Sequence, residues 1–288
     1  MTKDTTREIL KRAEPDLTRA ERQLCSTLLD NYPMSGLGSI TRLAEKAGVS
    51  TPTVVRMVQK LGFSGFPAFQ AALRDELEAQ ISGPIDKREM WAGQAPETHL
   101  LNRFTEAVMG NIRQTLGQID PERFDAAAAL LADESHSLFI AGGRITHALS
   151  EYLFLHMQVL RAHVTQVPSH ANAWPHAVLD MRAGDVLVVF DIRRYENSAL
   201  QLARIAAQRG VEVILITDQW QSPVAKHASL TFNCRVEVPS AWDSTVAMML
   251  LAETLIAAVV EKHWDRARNR MSELESLFDS TRIFRKFV

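Results

Sequence analysis

Residues 39–61 read SITRLAEKAGVSTPTVVRMVQKL. Ser39 is an N-cap residue ahead of the helix-forming run ITRLAEKA. Gly48 follows that run, where a left-handed residue ends a helix. Val49 is apolar and fills the turn. Ser50 is the next N-cap, with Pro52 in the first turn of a helix from Thr51 to Leu61. Gly62 closes that helix. Two short helices joined by a turn of about four residues containing Gly have the spacing of a helix-turn-helix. The apolar positions of the second helix, Val54, Val55, Val58 and Leu61, form its inward face. Thr51, Thr53, Arg56 and Lys60 form its outward one.

Working outward, Thr18–Arg19–Ala20–Glu21 is a capping box opening a helix to about Asn31, with Pro33 just past its end. Between Ile40 and Arg74 the cations Arg42, Lys46, Arg56, Lys60 and Arg74 face the single acid Glu45, a surplus of four. The whole chain carries 32 Lys+Arg against 34 Asp+Glu, a net charge of −2. The positive charge is therefore local to the segment that has the geometry to enter a DNA groove. A helical bundle with a solvated charged face shares the periodicity, and the cation surplus favours nucleic acid. The expected DNA-contacting residues are Arg42, Ser50, Thr51, Thr53, Arg56 and Lys60. The start of a recognition helix reads base edges, and the flanking cations hold phosphates.

The chain has 288 residues, is 46% hydrophobic and is 23% charged, which suits about two globular domains. It is expected to divide into a helical domain over 1–80, a linker over 81–96 and a larger domain over 97–288. The linker is marked by Ser82, Gly83, Pro84, Gly93 and Pro96, which interrupt the helical pattern. Beyond it, five β-rich runs alternate with helix-length segments. They are Ser137–Ala141, His163–Val167, Asp185–Asp191, Val211–Thr217 and Leu230–Arg235. The alternation predicts an α/β fold with a doubly wound parallel sheet, and the nearly continuous apolar runs VLVVF and VEVILIT suit strands buried on both faces. The chain returns to helix between Ser240 and Phe278.

Cys25 and Cys234 are isolated from each other and from any metal-ligand spacing, so neither a disulfide nor a metal site is expected. No leader-like segment opens the sequence, and the apolar run Val246–Val260 is broken by Glu253 and shorter than the ~20 residues of a membrane span. A cytoplasmic protein without a membrane partner is the expectation.

The stretches LTRAERQLCSTLLDNYP and SITRLAEKAGVSTPTVVRMVQKLGFSGFPAFQAAL closely resemble the DNA-binding domain of RpiR-type transcriptional regulators, with AGVSTPTVVRMVQKLGFSGF the most specific part. The resemblance covers about 4–80 strongly and 105–262 more loosely. It implies a helix-turn-helix domain coupled to a sugar-isomerase-type (SIS) domain that senses a sugar phosphate, with no cofactor.

In a doubly wound sheet, ligands bind at the carboxyl ends of the strands. Ala141–Thr146 there is either a plain strand-to-helix turn or an anion cradle, because two glycines let the backbone turn tightly and the next helix offers free N–H groups. The resemblance makes Gly142, Gly143, Arg144 and Thr146 a variant of the SIS loop G-x-G-x-S, with the hydroxyl kept. The second loop, Asp191–Ser198, departs from the SIS pattern S-x-S-G-x-T. Asp191 and Arg193 stand at the two Ser positions, Arg194 at the Gly and Glu196 at the Thr. Arg193 and Arg194 either grip an anion bidentately or pair with Asp191, Glu196 or a partner subunit. A third loop, Thr217–Asp218 then Ser222–Pro223, resembles the SIS signature that opens a short helix. In SAWDS (240–244), Asp243 is expected to cap the following helix, while Ser244 is a candidate to line the site.

The expected function is a DNA-binding regulator, not an enzyme, that senses a small anionic metabolite. A dimer or tetramer is expected, because helix-turn-helix proteins bind paired half-sites. Helices near 100–118 and 244–262 are candidates for its interface. The alternative is a sugar-phosphate isomerase with a helical appendage, for which Glu151, His147 or His170 would have to supply the base.

Overall fold

The computed structural model describes residues 4–92, 99–170 and 172–284, and the chain divides into two compact units, 1–94 and 95–288. In the first, α1 (Thr6–Ala13) and α2 (Arg19–Asp30) each open on a capping box, from Thr5 with Glu8 and from Thr18 with Glu21. The box at Thr5 was not anticipated from the sequence. α3 (Ile40–Ala47) starts at Ser39, whose hydroxyl accepts the Arg42 N–H. Gly48 ends it at φ +63°, and Val49 N–H returns to the Ala44 carbonyl. α4 (Thr51–Lys60) then starts at Ser50. α5 (Phe66–Ile81) completes the bundle.

These helices share a core that includes Leu24, Leu28, Leu43, Val54, Met57, Val58 and Phe69. On α4 the buried side chains are Val54, Met57 and Val58, while Val55 is only half-buried. Met57 therefore takes an inward place assigned to Val55, because position 57 falls beside 54, 58 and 61 on a 3.6-residue helix. The segment expected as linker is helical over α6 (Pro84–Ala92). Pro at the first helical position costs no hydrogen bond, and Asp86 accepts the Gly83 N–H to close the start. Gly93 and Pro96 lie outside the described residues.

The second unit opens with α7 (Leu100–Gln118) and α8 (Pro121–Ala132). Strands and helices then alternate: β1 (Leu138–Gly142), α9 (His147–Leu160), β2 (Val164–Gln166), α10 (Trp174–Asp180), β3 (Val186–Asp191), α11 (Asn197–Gln208), β4 (Glu212–Asp218) and β5 (Leu230–Cys234). α12 (Val246–Lys262) and α13 (Trp264–Thr281) follow. All the strand pairs are parallel, in the order β2-β1-β3-β4-β5. Each strand lies within a residue or so of its expected run.

β3 is buried along its whole length. Leu187 and Val189 pack with Leu202, Ala203 and Ala206 of α11 on one face. Successive side chains alternate, so Val186, Val188 and Phe190 are buried on the other face, where α9 packs on β1 and β3. The chain reverses its winding between β1 and β3, so the carboxyl ends of these two strands flank the crevice where such sheets bind ligands. No helix among the described residues is long and apolar enough to cross a membrane.

Candidate functional site

The outer faces of α3 and α4 form the candidate DNA interface. Arg42 and Arg56 are exposed, and Thr51 is half-exposed. Ser50 and Thr53 are engaged with each other. The Ser50 hydroxyl accepts the Thr53 N–H and lies 2.9 Å from the Thr53 hydroxyl, so both side chains serve the helix cap. Lys60 is turned away from this face. Its Nζ donates to the Asp16 carbonyl at 2.7 Å and to Glu21 at 3.2 Å. Glu21 itself is held below the usual carboxylate range, first by the Thr18 N–H and also by Lys60. Lys60 thus fastens the end of α4 to the start of α2, because a cation at a helix C-terminus that meets a capping carboxylate and a carbonyl has two acceptors at once.

The second candidate site is a cavity at the carboxyl ends of β1 and β3. It is a half-open cleft whose lining includes Gly142, Gly143, Val167, Pro168, Trp174, Glu196 and Ser198. The β1–α9 turn builds one wall. Gly142 is required there: a Cβ would come within 2.5 Å of the Thr146 carbonyl oxygen. The Thr146 hydroxyl accepts the Gly143 N–H at 2.8 Å and donates to the Phe190 carbonyl at 2.8 Å. That hydroxyl ties the turn to the end of β3, and its one proton is committed within the fold. The Arg144 side chain is exposed, and its backbone N–H donates to Glu196 at 2.8 Å.

The loop after β3 is anchored on Asp218 and Asp243. Arg193 N–H donates to Asp218 at 2.6 Å, and the Tyr195 hydroxyl donates to the other oxygen of Asp218 at 2.8 Å. Asp218 also accepts from Trp220 and Gln221 N–H. The Arg193 guanidinium pairs with Asp243 through both Nε and Nη2, and stacks 4.3 Å from the Trp220 ring centroid. It is only 8% exposed. The expected cap role of Asp243 therefore gives way to this ion pair. Thr245 stands at the N-cap of α12 instead, and the Ser244 hydroxyl accepts the Val246 N–H at 3.4 Å. Asp191 is buried, accepts the Ser222 hydroxyl and takes the Glu196 N–H at 3.4 Å. Arg194 is exposed at φ +61°.

Of the eight residues expected at the ligand site, Gly142 and Gly143 line this cavity; Arg144, Thr146, Asp191, Arg193, Arg194 and Ser244 do not. The physical reason is clearest for Arg193: a buried guanidinium needs a carboxylate, and Asp243, which does not line the cavity, supplies it. Sequence reasoning gave Glu196 no place of its own at the site and missed Ser198 and Trp174. The available signal for Glu196 was its place at the Thr position of the SIS pattern S-x-S-G-x-T. The nominated isomerase bases fare no better. Glu151 and His170 are exposed, His147 sits 3.5 Å from the Gln166 amide, and none of the three lines the cavity.

Burial pushes Asp191 up to about 7, and the Ser222 hydroxyl and Glu196 N–H offset part of that shift. Asp218 is pushed up to about 6 for the same first reason, against its hydrogen bonds from Tyr195 and Arg193. A carboxyl in the unfolded chain titrates near 4. Stability from the raised groups is thus fully present below about pH 4 and is lost as pH rises through about 6 and 7. We expect Asp191→Asn, which keeps an acceptor oxygen without the charge, to unfold less readily than the wild type at pH 8. The gain should be on the order of 2 kcal/mol and should shrink by pH 5. Denaturant titrations at both pH values check this; a difference that does not vary with pH would contradict it.

The helix-turn-helix domain of the rpiR family matches residues 5–80, and the SIS domain matches residues 130–258. The chain is similar to the HTH-type transcriptional regulator HexR of Pseudomonas aeruginosa, at 23% identity over 85% of this chain and 83% of that one. It is similar to the regulator RpiR of Escherichia coli, at 23% identity over 94% and 91%. Among solved structures, the sugar isomerase domain of an RpiR transcription factor from Sphaerobacter thermophilus superposes with a TM-score of 0.55 at 22% identity, covering 61% of this chain and 97% of that one. The NanR protein of Vibrio vulnificus, complexed with ManNAc-6P, superposes with a TM-score of 0.53 at 16% identity over 96% and 98%. A helix-turn-helix of the rpiR type followed by a five-stranded SIS sheet places this chain in the family of RpiR-type transcriptional regulators.

Proposed function

We propose that the protein binds a double-stranded operator through α3 and α4 as a homodimer or higher homo-oligomer in the cytoplasm. A small metabolite held in the cavity between β1 and β3 then shifts its affinity for that operator. The observation that carries the DNA half is the exposed pair Arg42 and Arg56 flanking the Ser50-capped start of α4. Among the described residues neither guanidinium has a hydrogen bond or ion pair. The effector half rests on the cavity at the switch point of the sheet and on the kinship with regulators that carry a SIS domain. The protein is assigned no turnover. Ligand binding changes operator affinity only by favouring one arrangement of the oligomer over another.

The test begins with selection of a bound DNA from a random double-stranded library and titration of the winner at fixed salt. Arg56→Ala is expected to weaken binding by roughly 10–100-fold, the cost of losing one base-reading or phosphate-holding guanidinium. Lys60→Ala is expected to act mainly on stability, because its ammonium is spent on Asp16 and Glu21. Unchanged affinity in Arg56→Ala would remove α4 from the interface.

A further inference from the structure

The turn that should cradle an anion already holds one. Glu196 is the N-cap residue of α11, yet its side chain makes no cap bond there. It reaches across to the glycine turn instead. One carboxylate oxygen accepts the Arg144 N–H at 2.8 Å, and the other accepts the Ser198 hydroxyl at 3.1 Å. Gly143 makes room for it: a Cβ at 143 would lie 2.5 Å from that first oxygen. The Gly143 N–H is taken by Thr146. Two of the backbone donors that the turn offers to an anion are thus satisfied from within the chain, and a carboxylate lines the cavity.

A phosphate placed here would meet a like charge in a partly enclosed space and would have to displace Glu196 from its donors. A carboxylate offers about four acceptor positions, and Glu196 uses two of them. It makes no ion pair among the described residues. The rest of the lining includes the Trp174 ring, Pro168, Val167 and Leu202. A carboxylate beside an aromatic and aliphatic wall is the chemistry that holds an ammonium group: the carboxylate takes its N–H donors or its charge, and the ring face takes the cation.

We propose that the effector of this cavity carries a cationic nitrogen, with Glu196 as its counter-ion, and that Glu196 excludes phosphorylated ligands. The inference rests on reading the cavity as the effector site, and it replaces the anion expected there by a cation. The neighbouring loop supports the assignment. Asp218 accepts the Arg193 N–H and the Tyr195 hydroxyl, and Asp243 pairs with the Arg193 guanidinium, which does not line the cavity.

The experiment is calorimetric titration of the full-length protein and of Glu196→Gln with five probes: ethanolamine, choline, glucosamine, inorganic phosphate and glucose 6-phosphate. Gln removes the charge and keeps an oxygen for the Arg144 N–H, while its NH2 group can donate to the Ser198 hydroxyl oxygen in place of the bond it accepted. At least one of the three amines is expected to bind the wild type and to bind Glu196→Gln tenfold or more weakly, the range for loss of a charge-assisted contact. The two phosphates are expected to bind the wild type more weakly than Glu196→Gln. A phosphate that binds the wild type as tightly as the variant overturns the proposal. So does an amine whose affinity is indifferent to the charge at 196, or the failure of all three amines on the wild type. Glu196→Ser repeats the comparison should the Gln variant fold poorly. Binding of the selected DNA by the same preparations reports on the regulator reading separately. Retained DNA binding with no charge preference sinks this inference alone, whereas failure to select any DNA sinks the reading on which it rests.

Discussion

Replacing Asp218 by Ala is expected to destabilise the C-terminal unit by roughly 3–5 kcal/mol. Asp218 is fully buried at the end of β4 and accepts from four donors: Arg193 N–H, Tyr195 O–H, Trp220 N–H and Gln221 N–H. Removing the carboxylate strands these donors in a site that water reaches poorly, and each stranded donor costs about 1–3 kcal/mol before relaxation. Burial of a charged Asp218 is itself unfavourable, which is why its carboxyl is pushed up to about 6; relief of that penalty offsets part of the loss. The Arg193 guanidinium keeps Asp243 as its partner, so the damage falls on the backbone of the loop and on Tyr195. In calorimetry the unfolding transition should move down by roughly 10 °C. Asp218→Asn retains one acceptor oxygen and should fall between Ala and the wild type. A loss below about 1 kcal/mol for Ala would show that the four hydrogen bonds do not hold the loop.

Gly142→Ala is expected to cost about 2–4 kcal/mol and to distort the cavity beside it. The added methyl would stand 2.5 Å from the Thr146 carbonyl oxygen, 2.7 Å from its carbon and 2.8 Å from the Ser150 hydroxyl. Two of those three atoms are backbone, so no rotamer change relieves the overlap. The start of α9 must move outward, and with it goes the Thr146 hydroxyl that joins Gly143 to Phe190. Gly143→Ala meets only the end of the Glu196 side chain, and should therefore be the milder of the two in a denaturant titration. Equal stability of Gly142→Ala and wild type would mean that the turn is softer than its close contacts suggest.

The helix-turn-helix unit was legible because its punctuation is local. Ser39, Gly48, Ser50 and the Thr18–Glu21 box act on neighbours within three or four residues, and each fixes a helix end by itself. The parallel sheet was legible because VLVVF and VEVILIT are apolar on both faces, a pattern that leaves few other places for them. Side-chain commitments were not legible, since they depend on pairs far apart in the chain. Lys60 finds Asp16 and Glu21 about forty residues upstream, so counting it with the DNA-facing cations overstated that face. Arg193 finds Asp243 fifty residues downstream. The sequence marks where the loop after β3 lies, but only the register of β3 beside β4 brings Asp218 under it. Glu196 is a further case: its position before α11 suggests a cap, and the glycine turn across the sheet gives it a better set of donors.

The close approach of Glu196 to Gly143 also ties together the histories of two positions in different loops. While the Glu196 carboxylate rests against this turn, a side chain at position 143 must push it aside, so the tolerance of position 143 is set by its neighbour. Shortening residue 196 first would open position 143 to larger residues, whereas the reverse order passes through a crowded intermediate. A lineage can thus change the charge beside this turn in one step at 196, and room at 143 follows from that change.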